Sequence, residues 1–497
     1  MGPSAETAVD SFQRGLLRVS GFLRTSCRKQ LLILAIAVRL LFFQASLYAQ
    51  NSTANTKPSA DQIPNHADQI ALERALAVYD QGRAQQAEPA LRDLVHRYPG
   101  NFAATETLGL IYAESGNFTS ALPLLEKACR LRPSSPLGLA NLGAILLKTN
   151  RIPEAVKALQ RSLSLDPKNP ETQSSLGQAL MQAGNAAQAA AAFSAAAAGK
   201  PGDANITYNW ALALFNAGKF KEAGEVLDRH PAKESSAEAQ SLLADIEEKQ
   251  GHYEAAVEHF KAAAEIDPSE TNLYALGIEF MRHWTFPAAI KVYEFATSKY
   301  PSSTRLQLGL GVAEYGNNDY ARAIPVFADL LSAAPDNALY ADLLGRSCMA
   351  LSEQQNQACE SLLTFALSHP KNAAAGIFAA ANILRRPQVQ EDAGLARRLL
   401  EQAIAANPNI PEAYFQMAVL DQQQIQWQES ATVLEKAIAL RTEYAQAHYR
   451  LARAYRHLGR KEEAQREAEL SQKYSEQEKN VLNARLKEVT TFLVTLK

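Results

Sequence analysis

Near its C-terminus the chain reads AQAHYRLARAYRHLGRKEEA, from Ala445 to Ala464, and gathers Arg450, Arg453, Arg456 and His457 in one short stretch. Guanidinium groups at this density are suited to anions, because each presents a planar fork of donors that matches two acceptor oxygens. On a helix, Gln446, Tyr449, Arg450, Arg453, Arg456 and His457 would share one face, and His448, Leu451, Ala452 and Tyr455 the packing face. Two chemistries fit. Glu462, Glu463 and Glu467 on the next helix could neutralise the arginines in a solvated network, or the arginines could grip carboxylates of an acidic partner segment while Tyr449 adds apolar contact. A nucleic-acid partner is disfavoured, since 50 basic against 52 acidic residues leave a net charge of −2 and no field to neutralise phosphates.

Catalytic chemistry needs converging groups, and the sequence offers none in a recognisable spacing. It contains no HExxH, no GxSxG, no phosphate loop ending in GK[ST] and no CxxC. LGLGVAEYG, from Leu308 to Gly316, has two glycines in dinucleotide-like spacing but no third in register and no preceding strand. The four cysteines, Cys27, Cys129, Cys348 and Cys359, lack the close pairs of a zinc site. The expectation is a chain without catalytic residues, metal or cofactor.

The elements that position these residues repeat along the chain. Prolines recur at Pro99, Pro133, Pro167 and Pro201, each 34 residues apart, and again at Pro268, Pro301 and Pro335. In front of each lies the pattern seen in TETLGLIYAESGNFTSALPLLEKACRLRP, from Thr105 to Pro133. Thr105, Leu108, Gly109 and Tyr112 are spaced as one face of a helix, and Ala121, Leu125 and Ala128 as one face of another. Gly116 and Asn117 lie between them, and Pro133 stops the second helix because it has no amide hydrogen and clashes with the preceding turn. Small residues hold two positions, Gly109, Gly143, Gly177, Gly277, Gly311 and Gly345 on first helices and Ala121, Ala155, Ala189, Ala289 and Ala323 on second ones, which predicts closely approached helix pairs.

LGxxY, then G, then A, then A and a closing P resembles the tetratricopeptide repeat family, in units beginning near Asp68, Phe102, Pro136, Pro170, Ala204, Ala237, Glu270, Thr304, Ala338, Ala374, Pro411 and Ala445. The resemblance implies an all-α fold, a right-handed superhelical α-solenoid of about twelve helical hairpins over residues 68–478. The unit ending at Pro231 has lost a turn of its second helix, and RRPQVQEDA, from Arg385 to Ala393, carries about four extra residues expected in a turn. After the array, Ser475 with Glu478 makes a capping box, and Leu482, Leu486, Val489, Leu493 and Leu496 form an amphipathic seam. A separate capping helix over 476–497 is expected to cover the end of the stack; the alternative is pairing between two copies of the chain.

The resemblance further implies that first helices line a groove. Its stripe would be Tyr208, Leu212 and Phe215, then Tyr274, Ile278 and Met281, then Leu308, Val312 and Tyr315, mostly apolar and suited to an amphipathic helix or extended peptide. The alternative is that neighbouring helices bury this stripe against each other. The family's clamp for peptide carboxylates is not carried over. Asn141 fits one of its places, but Glu106 and Leu110 stand where Lys and Asn are needed, and Glu171 and Ser175 follow.

Residues 1–49 read as a signal peptide or membrane anchor. Arg14, Arg18, Arg24, Arg28 and Lys29 precede the apolar run Leu31–Ala49, interrupted by Arg39, and a polar linker follows over 50–67. The expected protein is an exported, non-enzymatic scaffold with a protein or peptide partner, extracytoplasmic or anchored through 31–49, in an envelope assembly or secretion complex. The alternatives are an accessory factor for envelope polysaccharide and a cytoplasmic regulator. No disulfide is expected, because a regular hairpin would place Cys348 about one helical turn from Cys359.

Overall fold

The computed structural model of the protein describes residues 63, 65–351, 357–385 and 389–495; the leader 1–49 and nearly all of the linker lie outside them. The described residues form twenty-four α-helices and no strand. They belong to two compact units that meet after His259. The first holds α1 (His66–Asp80), α2 (Ala84–Arg97), α3 (Phe102–Glu114), α4 (Phe118–Leu131), α5 (Pro136–Lys148), α6 (Ile152–Leu165), α7 (Pro170–Gln182), α8 (Ala186–Gly199), α9 (Ala204–Asn216), α10 (Phe220–Leu227) and α11 (Ala237–Gln250). The boundary falls within α12 (Tyr253–Ile266). The second holds α13 (Glu270–Arg282), α14 (Phe286–Lys299), α15 (Thr304–Gly316), α16 (Tyr320–Ala333), α17 (Ala338–Ala350), α18 (Gln357–Ser368), α19 (Ala373–Leu384), α20 (Val389–Ala406), α21 (Pro411–Gln423), α22 (Trp427–Leu440), α23 (Ala445–His457) and α24 (Lys461–Thr495).

Helices begin where the sequence supplies a cap. Asn101 accepts a hydrogen bond from the Ala104 amide (2.8 Å) at the start of α3, and Ser303 one from Leu306 (3.3 Å) at the start of α15. First helices start at the residues read from the repeat except the first and tenth, which start at His66 and Ala373 instead of Asp68 and Ala374. The turn to the second helix passes through one left-handed residue, a glycine at Gly116, Gly184 and Gly218 and an asparagine at Asn150 and Asn318. Trp284 and Ile425 take the same conformation, with φ of 57° and 64°, where neither side chain is favoured.

Within a hairpin, the glycine of the first helix lies under a large residue of the second, sixteen positions later. Leu125, Leu159 and Phe193 cover Gly109, Gly143 and Gly177, and Tyr293 and Phe327 cover Gly277 and Gly311. A Cβ at Gly311 would stand 2.7 Å from the Phe327 ring. The alanines of the second helix, among them Ala121, Ala155, Ala189, Ala289 and Ala323, are fully buried at the same crossing.

The irregular units resolve differently from one another. α10 has 8 residues where most other second helices have 14, and a short 3₁₀ turn, Lys233–Ser235, completes the connection. The extra residues near Arg385 do not simply lengthen a turn: α20 has 18 residues, so part of the insertion is helical. α24 runs unbroken for 35 residues, which corrects the expectation of a separate capping helix starting near Ser475; without a break the Ser475/Glu478 pair caps nothing. The side chains of the seam from Leu482 onward, and Leu496, lie outside the described residues.

The absence of a disulfide is also corrected. Cys348 and Cys359 are bonded, with their Cα atoms 5.7 Å apart. The regular geometry assumed for that hairpin does not hold, because α18 starts six residues after α17 rather than three and Gly345 faces Phe378 of α19, not a residue of α18. α17 accordingly packs on α19 more than on its own partner α18.

Gly311→Leu should therefore destabilise the protein by about 1–3 kcal/mol, read as a lowered midpoint in chemical denaturation. Leu at exposed Asn317 should cost far less, within about 0.5 kcal/mol. Asn318 is not an equivalent control, since its left-handed backbone penalises leucine in its own right.

Candidate functional site

In the first unit, Tyr208, Leu212 and Phe215 of α9 are half-buried, and Phe215 meets Phe220 of α10 at 5.4 Å between ring centres. In the second unit Tyr274 and Ile278 of α13 are half-buried. Met281, Leu308, Val312 and Tyr315 are only 2–5% exposed. Those four are packing residues. Tyr274 illustrates the closure, its ring lying under the Arg305 guanidinium at 4.5 Å. At Glu106, burial pushes the carboxyl up to about 7 against the pull of Arg132 and Asn141. A group that resists ionisation here is the reverse of a cationic carboxylate clamp.

The arginine cluster of α23 divides into two. Arg450 is half-buried over the Phe415 ring of α21, at 5.5 Å, and is held by Gln422: Arg450 donates to the Gln422 side-chain oxygen (3.1 Å) while the Gln422 amide donates to the Arg450 carbonyl (3.0 Å). Burial and the neighbouring Arg453 lower its pKa. Arg450 therefore builds the contact between two hairpins. Arg453 and Arg456 are exposed, as are Tyr449, at 60%, and His457. Arg453 lies over the Trp427 indole at 5.5 Å, and His457 stacks on the same indole at 3.7 Å with rings 7° from parallel.

The acidic helix does not answer these arginines. Glu467 bonds His448, and Glu463 pairs with Arg460. Among the described residues Arg453 and Arg456 have no carboxylate within ion-pair distance, whereas Arg346, Arg397, Arg441 and Arg460 of the same unit pair with Asp342, Asp421, Glu412 and Glu463. Sequence reasoning named the cations and missed their platform, Phe415, Gln422 and Trp427, which belongs to the preceding repeat. One signal was present: at the turn position that mostly carries glycine or asparagine, this repeat carries Ile425, and it is 73% exposed.

His448 ties α23 to α24. Its Nδ1 stands 2.5 Å from a Glu467 carboxylate oxygen and its Nε2 2.8 Å from the Thr442 carbonyl, with the Tyr474 ring 5.3 Å away. Both partners only accept, so the two bonds exist together when both ring nitrogens carry hydrogen. Burial opposes that charge, but Glu467 and Thr442 outweigh it and the pKa is raised above the ordinary 6.5.

Tetratricopeptide repeat family models match residues 72–136, 140–204, 274–338 and 415–473, and further models of the same repeat match 180–246 and 237–270. The chain belongs to the tetratricopeptide repeat family. Arrays of this repeat are typically non-catalytic protein-interaction scaffolds, which makes the expected class of partner another protein. No curated protein matches the sequence. Among solved structures, the chain is similar to a tetratricopeptide repeat protein from Parabacteroides merdae (18% identity, TM-score 0.39, 50% of this chain and 98% of that one). It is also similar to PilF of Pseudomonas aeruginosa (18%, 0.36, 41% and 94%) and to YrrB, described as having an unusual peptide-binding site (18%, 0.35, 38% and 96%). Likenesses this distant say nothing of ligand or role.

The His448 pair makes the last hairpin pH-sensitive. A raised histidine pKa adds stability that is fully present below about 6.5 and is lost as pH rises through the folded value. Amides of α23 and the start of α24 should exchange faster, after correction for intrinsic rates, at alkaline than at mildly acidic pH. His448→Gln should flatten that dependence.

Proposed function

We propose that the chain is an exported, non-enzymatic scaffold that holds another protein in an extracytoplasmic assembly. Export is supported by the order of residues 1–49, basic segment, apolar run and small residue, and above all by one observation, the Cys348–Cys359 disulfide. Such bonds persist in oxidising compartments and are reduced in most cytosols. The scaffold reading rests on the repeat family and on the two units' extended series of hairpins, each offering solvent-facing residues to a partner.

Cys129 gives the measurement an internal reference. Its thiol is half-buried, donates to the Gly138 carbonyl at 3.3 Å, and burial pushes its pKa up to about 11, so it stays reduced and unreactive until the chain is denatured. Thiols are counted in denatured, unreduced protein taken from its native cell, together with the mass of the mature N-terminus. A cleaved, exported chain should show a single free thiol, Cys129, and begin near Gln50. An anchored chain should add Cys27. A full-length chain with all its cysteines free would refute the export reading.

A further inference from the structure

The exposed half of the arginine cluster lies at a corner made by two consecutive hairpins. Arg453, Arg456 and Tyr449 come from α23, Trp427 from the start of α22, and Ile425 from the turn between α21 and α22. Three observations at this corner need an explanation that packing does not provide. Arg453 and Arg456 have no carboxylate within ion-pair distance among the described residues, whereas Arg346, Arg397, Arg441 and Arg460 of the same unit each have one. Trp427 presents a flat ring with a histidine stacked on it and a guanidinium beside it, an arrangement that fixes the direction of both side chains. Ile425, β-branched, holds a left-handed backbone at φ 64° while 73% of its surface faces water. Glycine or asparagine serves the same turn in most other hairpins at lower cost, and the exposed isoleucine gains little burial to offset it.

The geometry points to a docking surface at this corner for an acidic segment of a partner protein, in which carboxylates meet Arg453 and Arg456 and an adjacent apolar side chain meets Ile425 and Trp427. Charge complementarity selects the occupant. Both arginines are exposed without a carboxylate partner among the described residues, and Arg453 is steadied over the Trp427 ring, which favours carboxylates over a neutral helix. Tyr449 and Arg456, seven residues apart on α23, span about 10 Å along the helix. That equals about three residues of extended chain, so a partner with acidic residues at alternate or third positions and an apolar residue between them matches the corner. Arg450 takes no part, being occupied by Gln422 and Phe415. The surface specifies a partner chemistry for the scaffold reading above and rests on it; the thiol and N-terminus measurement tests export alone, so either can fail without the other.

The test uses the full mature chain and a fluorescent synthetic peptide alternating glutamate with leucine, followed by anisotropy, with a glutamine–leucine peptide and phosphatidylserine vesicles as comparisons. Wild type should bind the acidic peptide, more weakly as salt rises, and should not bind the glutamine peptide. Arg453→Gln with Arg456→Gln should weaken binding about tenfold or more, with melting unchanged, and the double lysine variant should fall between. Ile425→Gly should weaken binding while raising the melting temperature, an opposition that a purely structural residue would not show. No measurable binding by wild type, equal binding by the double glutamine variant, or binding to the vesicles in place of the peptide would each overturn the proposal.

Discussion

The fold depends on a glycine facing a large side chain across one helical crossing. Where Gly277 and Gly311 sit, the Tyr293 and Phe327 rings occupy the space a Cβ would need, and the fully buried Ala289 and Ala323 let the backbones close in from the other side. The contact combines a steric requirement with apolar burial, and because it recurs at the same place in five hairpins it sets their shape before any surface residue is chosen. Positions outside the crossing are then free to vary. That freedom is what allows Arg453, Trp427 and Ile425 to differ from their counterparts in other repeats without disturbing the stack.

Most of the backbone was legible in the sequence for this reason. A period of 34 with glycine, alanine and proline at fixed offsets carries its own physical explanation, and the starts of the first helices fall where those offsets place them. The shortened α10 was legible too, as a missing turn before Pro231. What escaped were features set between units rather than within one. For Leu308, Val312 and Tyr315 the sequence left a groove and burial by neighbouring helices both open, and the residues are buried. The arginines of α23 read either as partners of the glutamates that follow or as a grip on an acidic partner, whereas Phe415 and Gln422 of the preceding repeat hold Arg450 and its Trp427 lies under Arg453. Periodicity locates a residue on a helix face; it does not say which neighbour claims that face.

The buried polar groups follow the same division. Glu314, 2% exposed on α15, has Arg322 at 2.9 Å, yet burial pushes its carboxyl up to about 7, and Asp319 and Glu294 add to the effect. His448 shows the opposite outcome, where two well-placed acceptors overcome burial and favour the charged ring. One is a charge resisted by its site and the other a charge demanded by it, although both contacts join two helices.

The Cys348–Cys359 bond sits in the hairpin that lacks the usual internal contact, since Gly345 turns to Phe378 instead of to a residue on α18. In a linear array, stability passes from neighbour to neighbour, and a weak junction divides one cooperative transition into two. The covalent link stands in for the missing packing at that junction. Reducing it would therefore act less like lowering the stability of the whole and more like unpinning one rung of a ladder, so that α18 would begin to loosen by itself while α17 and α19 keep their contact.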